Sequence, residues 1–319
     1  MKIALITPAA PKSRYGNRNT AMRWADLLHG LGHRVVVQES WNGRDADAML
    51  ALHARRSHDS IVRFAERWPD RPLVVALTGT DLYRDIRHDP NAQESLELAT
   101  RLIVLQDMGL QELALRLRRK TRVIYQSCAP IPRRPPVKCC FEIIISGHLR
   151  KEKDPFRGAA ALEYLPAASR IRITHIGGAR DPLLAAEAKR WMRQQPRYVW
   201  LDELARNRAL DTLARGRAML LSSRMEGGAN VISEALTARV PVIASRIPGN
   251  IGMLGKDYRG YYRPGDARAL ARLLWRIESD GDFLAMLQQQ CAVRRRLISR
   301  VSERRGLREL FLEFARNNS

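Results

Sequence analysis

The chain has 319 residues, enough for two domains with cores of their own, and its 45% hydrophobic and 28% charged content is that of a globular protein. Its longest apolar runs, 73–77 and 141–145, are strand-length and far short of a membrane span. The formal net charge of +22 points to anionic partners, but arginine is dispersed along the chain with no zinc-finger, aromatic RNP or helix-turn-helix spacing beside it, which speaks against nucleic acid.

Met1 and Lys2 run straight into Ile3-Ala4-Leu5-Ile6, which reads as a buried first strand rather than a signal peptide, so a cytoplasmic location with no membrane partner is expected. Short apolar runs then alternate with longer amphipathic segments, the pattern of a parallel α/β sheet. Strands are predicted near 2–7, 34–39, 48–53, 72–77, 101–105 and 122–125, with helices near 18–31, 57–68, 91–99 and 107–119. From 127 to 138 the texture changes, and four prolines exclude helix and central strand. The rhythm resumes with strands near 141–146, 171–176, 198–201, 217–222 and 241–244 and helices near 155–164, 182–194, 206–214 and 229–238. Helices near 266–278, 280–298 and 302–316 follow. The expected organisation is a Rossmann-like domain over 1–127, a proline-rich linker over 128–138, and a second Rossmann-like domain over 139–301. A terminal helix over 302–319 has the option of packing back on the first domain. Cys128, Cys139, Cys140 and Cys291 show no CxxC spacing and no Cys/His array, so they read as reduced residues. Adjacent Cys139 and Cys140 are expected to open a strand and point to opposite faces.

Open α/β sheets take ligands at the carboxyl ends of their strands, where loops lead into helix N-termini. Two such sheets in series predict a site in a cleft between their strand ends. The most informative stretch is 222–236, Ser-Ser-Arg-Met-Glu-Gly-Gly-Ala-Asn-Val-Ile-Ser-Glu-Ala-Leu, which follows a strand and opens a helix. Gly227 and Gly228 let backbone N–H groups approach a diphosphate, and the helix dipole favours its charge. Glu226 in the loop and Glu234 in the helix can face the same cleft. Pro241-Val242-Ile243-Ala244 is a short buried strand beyond it.

That spacing resembles the signature of the family-4 glycosyltransferases of the GT-B fold. The resemblance implies that Glu234 binds ribose hydroxyls, that Glu226 lies near the donor sugar, and that amides of Gly227, Gly228, Ala229, Asn230 and Val231 contact phosphates and sugar. The segment from Gly147 to Pro155 is similar to the family's Gly-Arg-Leu…Lys-Gly loop, whose Arg and Lys neutralise the leaving diphosphate. Lys153 matches the Lys, His148 stands at the Arg position, and Asp154 replaces the Gly. A neutral imidazole gives less charge stabilisation than a guanidinium, and Arg150 and Lys151 are the candidates to supply the difference.

In the first half three strand ends are cationic and hydroxyl-bearing. The loop 7–20 carries Arg14, Gly16, Asn17 and Arg18; the next carries His53, Arg55 and Arg56, with Ser57 as a helix N-cap; the third carries Thr78, Gly79, Thr80 and Asp81. Residues 17–21 with Arg23-Trp24, 52–57 and 76–83 resemble the selenosugar synthases of selenoneine biosynthesis. That resemblance implies transfer of a hexosyl or N-acetylhexosaminyl group from a UDP-sugar to selenophosphate, with C–Se bond formation. Residues and resemblance agree on a small anionic acceptor. The rival readings are a GT-B enzyme acting on a hydroxyl acceptor and a basic nucleic-acid-binding protein. No cofactor is expected, and no metal: Asp45-Ala46-Asp47 is the spacing that holds a divalent ion in GT-A enzymes, but it precedes the third strand, away from the carboxyl ends.

Overall fold

The computed structural model describes residues 1–10 and 16–316. The chain divides into two compact units, Met1–Ser127 with Ile298–Ser319, and Cys128–Leu297. The proline-rich stretch therefore groups with the second unit, and that unit ends at Leu297 rather than at 301.

The first unit is built on β1 (Lys2–Ile6), β2 (Arg34–Gln38), β3 (Ala48–Leu52), β4 (Leu73–Leu77), β5 (Arg101–Val104) and β6 (Thr121–Val123), in the order β2-β1-β3-β4-β5-β6. Every pairing is parallel. Covered on both faces, the central strands β3 and β4 are buried at every residue, which is why they read as unbroken apolar runs. On one face Ile61, Phe64, Leu82 and Leu96 pack against the sheet, and on the other Trp24, Leu28, Leu307 and Phe311. Helix Arg300–Arg316 thus belongs to the core of this first unit. Its Glu303, 1% exposed, accepts from Arg23 Nε (3.0 Å), Trp24 Nε1 (2.7 Å) and the Ser127 N–H (3.0 Å).

The second unit repeats the plan with β7 (Phe141–Ser146), β8 (Ile171–Ile176), β9 (Tyr198–Trp200), β10 (Ala218–Leu221), β11 (Val242–Ser245) and β12 (Tyr261–Tyr262), ordered β12-β11-β10-β7-β8-β9 and again all parallel. Three of its helices, Pro182–Gln194, Ala267–Ser279 and Gly281–Arg294, start on an aspartate whose carboxylate accepts a leading N–H at 2.8–2.9 Å. Strand order reverses between β1 and β3 in the first unit and between β7 and β10 in the second, and such switch points open a crevice at the strand ends. These are two Rossmann-like units.

Several local expectations change. The segment 107–119 is a 3₁₀ turn, Asp107–Glu112, followed by helix Leu115–Arg119. Gly109 sits so close to β5 that a Cβ there would lie 3.0 Å from Val104 Cβ, and the Gln106 side chain caps its N–H. The segment 280–298 breaks after Arg294, whose guanidinium is drawn to the carbonyls of Met253 (2.9 Å) and Gly252 (2.5 Å). Helix Pro248–Leu254 and the two-residue β12 are additions. Cys139 and Cys140 precede β7, and their Sγ atoms lie 3.9 Å apart rather than on opposite faces. Among the described residues no helix is long and apolar enough to cross a membrane.

Candidate active site

In the first unit β3 ends in a strained turn. His53 has φ of 76°, a left-handed conformation unusual for a side chain of this size, and is 2% exposed. Its Nδ1 accepts the Arg56 N–H at 3.3 Å, so Nε2 carries the proton and donates to Thr80 Oγ1 at 3.0 Å. Burial holds the imidazole below its usual pKa against the opposing charges of Asp81 and Asp85. Asp81, fully buried, gathers three backbone donors: Thr78 N–H (2.9 Å), Gly79 N–H (2.7 Å) and Ala54 N–H (3.1 Å). It ties the β3 and β4 ends together and faces no solvent. Arg55 is ion-paired with Asp85 at 3.2 Å and Asp89 at 3.7 Å, while Arg56 is exposed. Ser57 does not cap its helix; its hydroxyl donates to the Leu52 carbonyl at 2.7 Å. Gly16, Asn17 and Arg18 form the first turn of helix Gly16–His29. Arg14 lies outside the described residues. Asp45 and Asp47 are taken up by Lys2 and Arg71.

In the second unit two loops flank the β7/β10 switch point. Gly147 follows β7 and approaches Gly177 so closely that a Cβ on Gly177 would lie 2.1 Å from the Gly147 carbonyl oxygen. Beneath this contact His175, 1% exposed, donates from Nε2 to that carbonyl at 3.1 Å and accepts from the Tyr198 hydroxyl at 2.9 Å on Nδ1. Burial pushes its pKa from 6.5 down to about 4, so it supports the loop as a neutral ring. Sequence reasoning passed it over; its signal is a histidine inside an apolar strand that runs into Gly177-Gly178. His148 is half-buried and burial lowers its pKa too, with Glu203 opposing. Arg150 lies 3.6 Å from Glu152. Lys153 closes a 3₁₀ turn, and Asp154 after it adopts φ of 45° and ψ of 56°. That left-handed position explains a glycine in the related loop, and aspartate is among the few side chains that tolerate it.

Lys153 Nζ is paired with Glu226 Oε1, joining the two loops. Ser223 Oγ donates to the same oxygen at 2.6 Å. A Cβ on Gly249 would lie 1.8 Å from the Glu226 carbonyl oxygen, so only glycine fits against this turn. Helix Asn230–Thr237 starts at Ala229, which offers no side-chain acceptor to the leading N–H groups. Val231 lies in its first turn, and Gly227 and Gly228 lead into it. One turn further, Glu234 Oε1 is 3.3 Å from Arg206 Nη2.

Residues 140–293 match the family described as glycosyl transferases, group 1. The matched stretch contains Lys153, Glu226 and Glu234 together with both loops of the switch point. Across 290 residues the chain is 23% identical to glycosyltransferase 1 domain-containing protein 1 of Xenopus tropicalis, covering 82% of this chain and 83% of that one. Similar solved structures include HepE of Anabaena in complex with UDP-glucose, with a TM-score of 0.79 at 16% identity over 98% of this chain and 100% of HepE. Sucrose-phosphate synthase of Thermosynechococcus elongatus has a TM-score of 0.78 at 16% identity over 99% of each chain. The two Rossmann-like units thus share the GT-B fold of these structures.

Proposed function

We propose that the chain transfers a hexosyl or N-acetylhexosaminyl group from a UDP-sugar, held by the second unit, to selenophosphate. The donor half of this reading is carried by the Lys153–Glu226 pair, one cation and one carboxylate fixed beside a glycine turn and a helix start. The match to the group 1 family and the likeness to HepE, a complex with UDP-glucose, support it. In this reading the diphosphate engages Lys153 and the N–H groups of 227–231. Glu226 faces the sugar, Glu234 takes the ribose hydroxyls with Arg206 beside it, and the base lies by 198–203. As the anomeric C–O bond breaks, its electron pair leaves with UDP, and donors already fixed at that position supply most of the acceleration. His148, neutral, contributes a hydrogen bond, and Arg150 is the second cation of the loop.

The acceptor half rests on the likeness of 17–24, 52–57 and 76–83 to selenosugar synthases and on the cations Arg18, Arg55 and Arg56 at those strand ends. A selenium lone pair forms the C–Se bond as UDP departs, and water then cleaves P–Se to give phosphate and the selenol. Anionic selenium needs no enzymic base. The pairing of Arg55 with Asp85 and Asp89 favours the alternative, a hydroxyl acceptor, because it reduces the charge left for an anion. The test incubates purified protein with a panel of UDP-sugars, with and without selenophosphate, and follows UDP release and product mass. Release that requires selenophosphate is expected. Release that requires a hydroxyl compound instead rejects the acceptor, and no release with any UDP-sugar rejects the donor.

A further inference from the structure

Two consecutive serines at the end of β10 reach in opposite directions. The Ser222 hydroxyl lies 3.0 Å from the Lys153 carbonyl and 2.9 Å from that of Asp154, and is 3% exposed. Ser223, fully buried, donates to Glu226 Oε1. Its own carbonyl accepts the Ser245 hydroxyl at 2.5 Å, and Ser245 is held in turn by Asn250 Nδ2, 2.9 Å from its carbonyl and 3.1 Å from its Oγ. Asn250 and Ser245 are fully buried, so the chain of donors runs from the interior to the carboxylate without a solvent-exposed link. One serine thus grips the turn that carries the lysine, and its neighbour grips the carboxylate that faces it.

We infer that Ser222 and Ser223 are positioning residues that set how Glu226 shares its charge with Lys153. Ser223 and Lys153 donate to the same oxygen. A carboxylate oxygen that already accepts a hydroxyl proton attracts a second donor less strongly, so the hydroxyl leaves the ammonium easier to transfer to a departing diphosphate. Ser222 holds the backbone of the Lys153 turn at a fixed height while that transfer occurs. Both serines act through groups other than their own, and the inference rests on the roles given above to Lys153 and Glu226.

Ser223→Ala is expected to lower kcat by about 10- to 100-fold, the worth of a hydrogen bond to a charged group, with KM for the intact UDP-sugar within about threefold. In a Glu226→Ala background the same change is expected to cost nothing further, because the group it acts through is gone. UDP alone, which carries the full charge of the leaving group, is expected to bind Ser223→Ala about tenfold more weakly by calorimetry. Wild-type kcat and UDP affinity in Ser223→Ala, or an equal loss with and without Glu226, overturns the inference. If Ser223→Ala lowers the Tm enough to confuse the comparison, Ser223→Cys keeps the volume with only a weak donor and is read the same way. A Glu226→Ala enzyme with undiminished turnover instead removes the reading of the site on which the inference stands.

Discussion

At the end of β3 the guanidinium of Arg55 is matched by Asp85 and Asp89, His53 is a buried neutral ring, and Asp81 is saturated by backbone N–H groups. At the end of β10 Lys153 is paired with Glu226, Ser223 donates to the same carboxylate and Ser222 to the lysine's turn, while Arg224 lies 3.8 Å from Asp154. Both are strand ends beside a switch point, and exposure does not separate them, since Arg55 is 42% and Lys153 27% exposed at the side chain; what differs is the set of partners each cation meets. Charge at a strand end is therefore no guide to reactivity until its partners are counted. A cation with two carboxylates is committed, whereas one that shares its carboxylate with a neutral donor can be redirected.

The sharpest way to break this contrast is Lys153→Ala. Removing a charge fixed where negative charge develops should cost about 10²–10³ in kcat, measured as UDP release at saturating donor. Asp81→Ala should do the opposite, leaving donor affinity at the second unit unchanged while orphaning the N–H groups of Thr78, Gly79 and Ala54, the last two of them buried. Its expected cost is about 3 kcal/mol or more in chemical denaturation of the first unit. An effect of comparable size comes from pH. Because folding lowers the pKa of His175 from 6.5 to about 4, the unfolded chain binds a proton more readily than the folded one. Stability that is complete above about pH 6.5 should fall as pH drops towards 4, by on the order of 3 kcal/mol, followed by denaturant titration at several pH values. His53 acts in the same direction. Smaller again, Glu234→Ala should raise the dissociation constant for UDP about tenfold with little change in kcat, as a lost ribose contact would. The smallest effect is expected of Arg55→Ala with Arg56→Ala, a several-fold rise in the acceptor KM alone; Arg55 being committed to aspartates, Arg56 should account for most of it.

The parallel sheets were legible because buried strands such as β3, β4 and β10 are continuous apolar runs and the helices between them are amphipathic. Strand β12 was not: it is two tyrosines that pair with β11 beyond helix Pro248–Leu254, too short a run to show a strand pattern. The glutamates and the lysine stood out by spacing, whereas Ser222, Ser223 and Ser245 did not. A serine at a strand end is common, and its meaning here depends on a turn some seventy residues earlier in the chain. Ser57 shows the same limit from the other side, since the residue type that caps helices was satisfied instead by the carbonyl of Leu52. Local chemistry names the groups, and long-range hydrogen bonds decide what they do.

Glu303 has a consequence for how the protein is made. Arg23, Trp24 and Ser127 all donate to a carboxylate that the ribosome supplies only after the whole intervening unit has been translated. Until then the newly made first sheet exposes the apolar face that Leu307, Leu310 and Phe311 will cover, and Arg23 lacks the carboxylate it pairs with in the folded unit. The nascent chain must therefore hold its first unit incomplete while the second is made, which makes that unit a natural client of a holding chaperone.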